Sequence, residues 1–305
     1  AYKFIQQFYS NIEYYIPDRY DEGYGVSKKG IDYAKEAGVK LIIILDCGIK
    51  AIDEIAYAKS LGIDFIICDH HMPDDELPPA VAILNPKRAD DTYPFKHLCG
   101  CGVGFKFMQA FAKNNGIPFA RLIPLLDLCA VSIAADIVPV TEENRILAFH
   151  GLKTLNQNPS IGLKAIIDIC GLGGREISMS DIVFKIGPRI NASGRMESGR
   201  ESVDLLVDKD FSHALEKAKH IDSYNDKRKD IDKQMTEDAN HIVSRLESQR
   251  HQSSIVLYDE HWKKGVIGIV ASRLTEIYFR PTVVLTRDGD FATGSARSVT
   301  GFDIY

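Results

Sequence analysis

Leu41-Ile42-Ile43-Ile44-Leu45 closes on Asp46, and Ile63-Asp64-Phe65-Ile66-Ile67-Cys68 closes on Asp69-His70-His71. Both runs are short, apolar and rich in β-branched residues, the pattern of a buried strand. Between them, Ala51 to Leu61 (Ala-Ile-Asp-Glu-Ile-Ala-Tyr-Ala-Lys-Ser-Leu) spaces its apolar residues as an amphipathic helix does. A right-handed crossover through that helix sets the two strands parallel and near one another, with Asp46 and Asp69 at the same edge. Ligands gather at that edge of an open α/β sheet, so these acids and histidines are the first candidate functional residues. Neighbouring side chains of an extended chain point to opposite faces. One of His70 and His71 is therefore expected to be a metal ligand, and the other to contact substrate or support the ligands.

The alternation of strand and helix continues outward. Val81-Ala82-Ile83-Leu84 before Asn85-Pro86 reads as a third strand, Gly104 to Lys113 has helical periodicity, and Leu122 to Ala135 is a nearly continuous apolar helix ending on Asp136. A carboxylate closing a buried helix needs a partner, because an unpaired buried charge is costly. Upstream, Ala1 to Tyr9 reads as a helix and Asn11 to Ile16 as a strand. A doubly wound sheet normally opens on a strand, so its first strand is expected to lie outside this chain. Downstream, Gly187-Pro188-Arg189-Ile190-Asn191-Ala192-Ser193-Gly194-Arg195 has the composition of a binding loop. Phe211 to Leu246 reads as a long, charge-rich helix with a sparse apolar side, Ala214, Leu215, Ala218, Ile221, Ile231, Met235 and Ile242, of the kind that bridges domains. Ile255 to Tyr258, the helix start at Gly265 to Val270 and Thr282 to Leu285 then form a second α/β unit, and Gly301 to Tyr305 reads as a helix just starting. The expected fold is α/β, truncated at both ends. A mostly parallel sheet lies in a first domain over residues 1–206, a connecting helix spans 207–250 and a smaller α/β domain covers 251–305.

Length and composition agree with two domains: 305 residues, 45% of them apolar. No stretch approaches the roughly 20 apolar residues of a membrane helix, and no basic-then-apolar leader precedes the first element, so cytoplasmic residence without a membrane partner is expected. The six cysteines sit in strand-like or helix-like segments and read as small apolar side chains with reduced thiols. His97, Cys99 and Cys101 hint at zinc, but the alternating Gly100, Gly102 and Gly104 suggest a tight turn entering a helix, and no second ligand pair follows at zinc spacing. The net charge of −5 excludes a surface coated in positive charge. Even so, Lys185, Arg189, Arg195 and Arg200 crowd a segment whose one acid is Glu197. Such a local field suits either a nucleic-acid groove or a solvated surface.

Each candidate also has a plainer reading. Asp46 and Asp69 can be helix-capping acids, His70 and His71 ordinary partly buried imidazoles, and Asp136 a cap or salt-bridge partner. Arg189, Asn191 and Arg195 can stitch a structural turn.

Asp46-Cys47-Gly48, Asp69-His70-His71, Asp136, the Arg189 to Arg195 segment and Gly294-Ser295-Ala296-Arg297-Ser298 occur in one order. In that ordered set the chain resembles the bacterial single-strand-specific exonucleases of the DHH phosphoesterase family over nearly its whole length. His261-Trp262-Lys263-Lys264-Gly265-Val266-Ile267-Gly268 resembles the start of the family's accessory DHHA1 domain. The resemblance implies a 5′ to 3′ exonuclease acting on single-stranded DNA in recombination and repair, by hydrolysis assisted by two divalent ions. The cofactor implied is Mn²⁺, with Mg²⁺ as a substitute. It assigns Asp46, His70 and Asp136 as metal ligands, with Asp46 bridging, and Asp46, Asp69 and His71 to catalysis, with His71 approaching the scissile phosphate. Arg19, Arg189, Asn191, Arg195, Ser295 and Arg297 are candidates for gripping the strand and its 5′-phosphate. Implied partners are single-stranded DNA, a single-strand-binding protein and a helicase, with the nuclease a monomer. The family's Asp-x-Asp motif on the first strand is absent from this chain, so weak Mn²⁺ binding and little nuclease activity are expected of it. Two alternatives stand beside this one: a short-oligonucleotide phosphodiesterase of the same superfamily, and a noncatalytic single-strand-binding module.

Overall fold

The computed structural model describes residues 1–247 and 253–304. In chain order the elements are α1 (Tyr2–Ile5), α2 (Lys28–Glu36), β1 (Leu41–Leu45), α3 (Ile52–Ser60), β2 (Asp64–Cys68), β3 (Ala82–Leu84), α4 (Gly100–Asn114), α5 (Leu126–Ala135), α6 (Glu142–Gln157), α7 (Ile161–Ile169) and α8 (Met179–Asp181). There follow α9 (Gly187–Met196), α10 (Arg200–Val207), α11 (Phe211–Glu247), β4 (Ile255–Tyr258), α12 (Ile267–Tyr278), β5 (Thr282–Asp288) and β6 (Phe291–Arg297). Two compact units emerge, residues 1–191 with 198–219 and residues 192–197 with 220–305. The boundary expected between residues 250 and 251 lies outside the described residues, as does Tyr305. Among the described residues no helix is long and apolar enough to cross a membrane.

In the first unit β1, β2 and β3 form a parallel sheet in that order, with Leu41 opposite Asp64 and Leu45 opposite Cys68. Alternation along these strands feeds two cores. Ile44, Phe65 and Ile67 pack with Ile31 and Ala34 of α2 and Ile55 and Ala58 of α3. Ile43, Ile66 and Cys68 point the other way, toward Val103, Phe105 and Met108 of α4 and Leu126, Cys129 and Ile133 of α5. A sheet covered on both faces explains why the strands read as continuous apolar runs rather than alternating ones. In the second unit β4 and β5 are parallel and β5 and β6 antiparallel. Met235, Ala239 and Val243 of α11 and Val270, Ala271 and Leu274 of α12 form its core with Trp262.

Several sequence expectations fail. Only Tyr2–Ile5 of the opening segment is helical, and Asn11 to Ile16 joins no strand. The two tyrosines that gave it a strand-like look are held by side-chain bonds instead, Tyr14 Oη donating to Asp204 at 2.6 Å and Tyr15 Oη to Glu22 at 2.8 Å. The Gly187 to Arg195 segment is not a loop but the body of α9. It is preceded by a π-turn over Ile182–Ile186, whose extra width fits Pro188, a residue without an N–H. Ala192 and Ser193 are fully buried, and that packing overrides the poor helix propensity of glycine and proline. Gly301 to Ile304 form no helix. β6 and the helices α2, α6, α7, α8 and α10 were not anticipated.

Candidate metal centre

Pairing in register brings the ends of β1 and β2 to one level, and their terminal acids follow. Asp46 N donates to Cys68 O at 2.8 Å, and Asp69 N to Leu84 O at 3.0 Å. Asp46 then turns sharply, with φ +66°, a left-handed conformation that aspartate tolerates better than most residues. Its carboxylate lies under the start of α4. A Cβ added at Gly100 would stand 1.9 Å from Asp46 Oδ1, so only glycine fits there.

Asp69 is buried and both its oxygens are engaged. Oδ2 accepts from Ile49 N at 3.0 Å, while Oδ1 accepts from His70 N at 2.7 Å, His71 N at 3.2 Å and His71 Nδ1 at 2.7 Å. Asn85 adds a further tie, its Nδ2 donating to His71 O at 2.9 Å. These bonds curl the chain just past β2, so the alternation expected of an extended segment does not apply. Both imidazoles reach the same place, edge to face with ring centroids 4.7 Å apart.

His70 is 12% exposed. Its Nδ1 lies 3.1 Å from Leu98 O, an acceptor only, so Nδ1 carries the proton and Nε2 presents a lone pair. That lone pair faces Asp46 Oδ1 at 3.1 Å and Asp136 Oδ2, at the end of α5, at 3.6 Å. Asp46 Oδ1 is itself buried without a hydrogen-bond partner. Ligand atoms of Asp46, His70 and His71 all fall within 4.8 Å of one another. Asp136 is followed by Ile137 at φ +54°.

The electrostatics fit that geometry. The Asp46 carboxylate raises the His70 pKa above the ordinary imidazole value, against the effect of burial. Burial, and then the charge of Asp46, push the Asp136 carboxyl up. For Asp69 burial acts upward, but the hydrogen bonds from His71 and Ile49 outweigh it and hold the carboxyl below its usual value. An ionised Asp69 can only accept, so His71 Nδ1 is the donor and His71 Nε2 stays available. Two carboxylates and an imidazole nitrogen thus converge, a donor set that can hold a small divalent cation. Oxygen and nitrogen donors without thiolate suit Mn²⁺ or Mg²⁺. Zinc at His97, Cys99 and Cys101 has no counterpart: Cys99 Sγ accepts from Gly102 N at 3.2 Å and caps α4, and Cys101 Sγ lies 3.9 Å from Cys129 Sγ.

The strand-gripping candidates divide between the units. Arg19 is exposed, with its guanidinium 5.7 Å from the Tyr24 ring centre. Arg189 Nη1 donates to Lys185 O at 2.9 Å, and Asn191 is exposed. In the second unit Arg195 Nη1 donates to Gly265 O at 3.3 Å. Arg297 Nη1 donates to Ser295 Oγ at 2.9 Å, beside Gly268 near the start of α12. Sequence reading missed Gly100, Asn85 and the Leu98 carbonyl. The first two left a signal, in the glycine run of α4 and in Asn85-Pro86 after β3, but neither pattern says what it touches.

A sheet edge carrying Asp-His-His with an acid from the next strand and another from a helix end defines a domain class. Residues 1–133 match the model of the DHH family, N-terminal domain. The chain is RecJ-like along its length. It is 40% identical over 303 residues to the single-stranded-DNA-specific exonuclease RecJ of Bacillus subtilis, covering 99% of this chain and 38% of that protein. To the RecJ of Escherichia coli it is 36% identical, covering 96% of this chain and 53% of that one. The chain therefore spans about half, or less, of the curated relatives it matches. A crystal structure of exonuclease RecJ bound to manganese superposes with a TM-score of 0.83 at 28% identity, over 99% of this chain and 74% of that one. RecJ from Thermus thermophilus in complex with Mn²⁺ gives 0.77 at 27% identity, over 90% and 40%.

Proposed function

We propose that this chain carries the metal centre of a phosphodiesterase that degrades single-stranded DNA from its 5′ end, an exonuclease serving recombination and repair in the cytoplasm. The observation that carries the reading is the His70 imidazole. Its Nδ1 proton is fixed on Leu98 O and Nε2 is turned onto Asp46 and Asp136, a meeting of groups that a proton bridges in the metal-free chain and that a divalent cation would bridge in its place. Names of the relatives supply the substrate class, and manganese in two solved RecJ structures supplies the cofactor, with Mg²⁺ as a substitute.

Asp46, His70 and Asp136 would hold Mn²⁺, with His71 Nε2 within reach of the same position. Bound there, the ion supplies Lewis-acid chemistry that neutralises charge on an attacked phosphate and makes water a competent nucleophile near neutral pH. The side chains do the rest. Asp69 is a positioning residue, because its oxygens are spent on the His71 ring and on three amides. It keeps the His71 proton on Nδ1 and aims Nε2 at the scissile phosphate. Gly100 leaves room for the Asp46 carboxylate. Arg19, Arg189, Asn191, Arg195, Ser295 and Arg297 would grip the strand, the arginines by paired hydrogen bonds to phosphate oxygens. Assistance by two ions, action as a monomer, and partnership with a single-strand-binding protein and a helicase belong to the same reading.

Mn²⁺ titration followed by paramagnetic resonance tests it. One ion should bind, since the first-strand Asp-x-Asp ligands that a second would need are absent from this chain, and it should be lost in Asp46→Asn and His70→Ala. Any hydrolysis should require the ion and fall with Asp46→Asn. Binding of a long 5′-phosphorylated single strand should exceed that of a duplex or a dinucleotide. Preference for the dinucleotide would favour the short-oligonucleotide phosphodiesterase, and absence of any metal site would favour the noncatalytic module.

A further inference from the structure

Helices α4 and α5 each bring a thiol to one point of the first unit. Cys101 stands near the start of α4 and Cys129 near the start of α5, and their sulfurs lie 3.9 Å apart, in contact. Both belong to the apolar cluster that contains Val103, Phe105, Leu126 and Ile133. Cys129 is buried, whereas Cys101 is partly exposed. A thiol open to solvent with a second thiol in contact behind it is the arrangement of an attacking and a resolving cysteine. The Cys129 thiol donates to Cys101, which lowers the Cys101 pKa and raises that of Cys129, in keeping with those roles.

Both helices also serve the metal centre. Gly100, the residue before Cys101, bears on Asp46, whose Oδ1 lies 1.9 Å from where an added Cβ would stand. Asp136 follows Cys129 by about two turns, at the end of α5. A disulfide sets its sulfurs about 2.05 Å apart, roughly 1.9 Å closer than these two stand. Side-chain rotation takes up part of that approach, and in a close-packed core the remainder falls on the helices. Metal ligands tolerate displacements of only about 0.2 Å.

We propose that Cys101 and Cys129 are a peroxide-sensitive dithiol whose oxidation to a disulfide loosens the grip of Asp46 and Asp136 on the divalent cation. This rests on the metal-centre reading above. The Cys101 thiolate attacks one oxygen of hydrogen peroxide, the O–O bond breaks, and the departing hydroxide takes up the proton that Cys101 released, leaving a sulfenic acid and one water. The Cys129 sulfur then attacks the Cys101 sulfur, the S–O bond breaks, and the hydroxyl leaves with the Cys129 proton as a second water. Two thiols have lost two electrons, and one peroxide has gained them. In a reducing compartment a dithiol restores the pair by exchange, so the bond is transient, as sensing disulfides there are.

The test treats the metal-free chain with one equivalent of hydrogen peroxide, removes the excess with catalase, and follows thiol titration, peptide mapping and Mn²⁺ calorimetry. Two of the six thiols should disappear, and mapping should join Cys101 to Cys129. Mn²⁺ affinity should fall about 10-fold or more and return on reduction with dithiothreitol. Cys101→Ser and Cys129→Ala should bind Mn²⁺ like the reduced chain and keep that affinity after peroxide. Mapping on the unaltered chain decides the pairing even if a variant folds poorly. Six thiols surviving, a link between other cysteines, or a Cys101–Cys129 link with unchanged Mn²⁺ affinity would each refute the proposal while the metal-centre reading stands. So would an equal loss of affinity in peroxide-treated Cys101→Ser, since the damage would then lie elsewhere. If the reduced chain bound no Mn²⁺, both would fall together.

Discussion

Gly100→Ala should empty the metal centre while leaving the fold standing. The added methyl would lie 1.9 Å from Asp46 Oδ1, 2.4 Å from Cγ and 2.7 Å from Cβ. Non-bonded heavy atoms settle near about 3.5 Å, so the carboxylate must retreat by roughly 1.6 Å. The backbone cannot absorb this, because Asp46 N is bonded to Cys68 O at 2.8 Å and the residue already sits at φ +66°. Rotation of the side chain remains, and it swings Oδ1 away from His70. Metal ligands tolerate displacements of about 0.2 Å, so Mn²⁺ affinity should fall at least about 10- to 100-fold. Stability should change far less. Overpacking costs about 1–3 kcal/mol, and replacing glycine in a helix returns up to about 1 kcal/mol. Gly104→Ala is the control, one turn along α4, where the new methyl would meet only Leu45 Cδ2 at 3.2 Å. Calorimetric titration with Mn²⁺ and urea unfolding on both variants provide the readout. If Gly100→Ala bound Mn²⁺ like the unaltered chain, Asp46 Oδ1 would not be a ligand and the geometry of the site would have been misread.

Asp69→Asn replaces an acceptor of four hydrogen bonds by a group that also donates. Urea unfolding should show a loss of about 2–3 kcal/mol, and His71 should lose its single tautomer by nitrogen NMR. Because Asp46 raises the His70 pKa, the metal-free protein keeps a proton that the cation must displace. Mn²⁺ affinity should rise with pH and level off only above the ordinary imidazole value of about 6.5, and a plateau reached below that value would contradict the assignment. The same raised pKa gives the metal-free chain a stabilising term present at low pH and lost as pH rises through it. Asp208, held down to about 2 by Lys217 at 2.6 Å and by the Asp210 amide, contributes in the opposite sense. Its contribution is present above the unfolded carboxylate value and lost as pH falls toward 2, so Asp208→Asn should cost about 1 kcal/mol at pH 7 and nothing near pH 2, by urea unfolding.

The sheet edge was legible because two short apolar runs and one amphipathic segment leave few ways to pack. β1, α3 and β2 lie within a residue or two of where periodicity puts them. Convergence of Asp46 and His70 follows from parallel pairing alone. What periodicity does not carry is how a chain turns once a strand ends. Both imidazoles meet because Asp69 gathers three N–H groups of the following two residues, and a pattern of apolar residues is silent about side-chain to backbone bonds. α9 was misread for the opposite reason. Two glycines and a proline argue locally against a helix, yet burial of Ala192 and Ser193 and a π-turn ahead of Pro188 decide it, and both are tertiary facts. The role of Gly100 was hidden similarly, since its contact, Asp46, lies far away in the chain.

Both candidate carboxylates stand at turns in the left-handed region, Asp46 at φ +66° itself and Asp136 just before Ile137 at φ +54°. For a β-branched residue that conformation is costly, of order 1–3 kcal/mol, and Ile137 is 81% exposed, so no burial of its side chain offsets the cost. A glycine or asparagine would relieve it. Strain of this kind survives only where the surroundings fix the backbone. Here the Asp46 amide is tied to β2, and the Asp136 amide to Ser132 O at the end of α5. Adding Asp46 and Asp136, two carboxylates facing one imidazole, with burial and the charge of Asp46 pushing the Asp136 carboxyl up, the metal-free centre concentrates several unfavourable terms within a few residues. A divalent cation held there would relieve the repulsion between the carboxylates, and its binding free energy would couple to the stability of the strand ends that carry the candidate ligands.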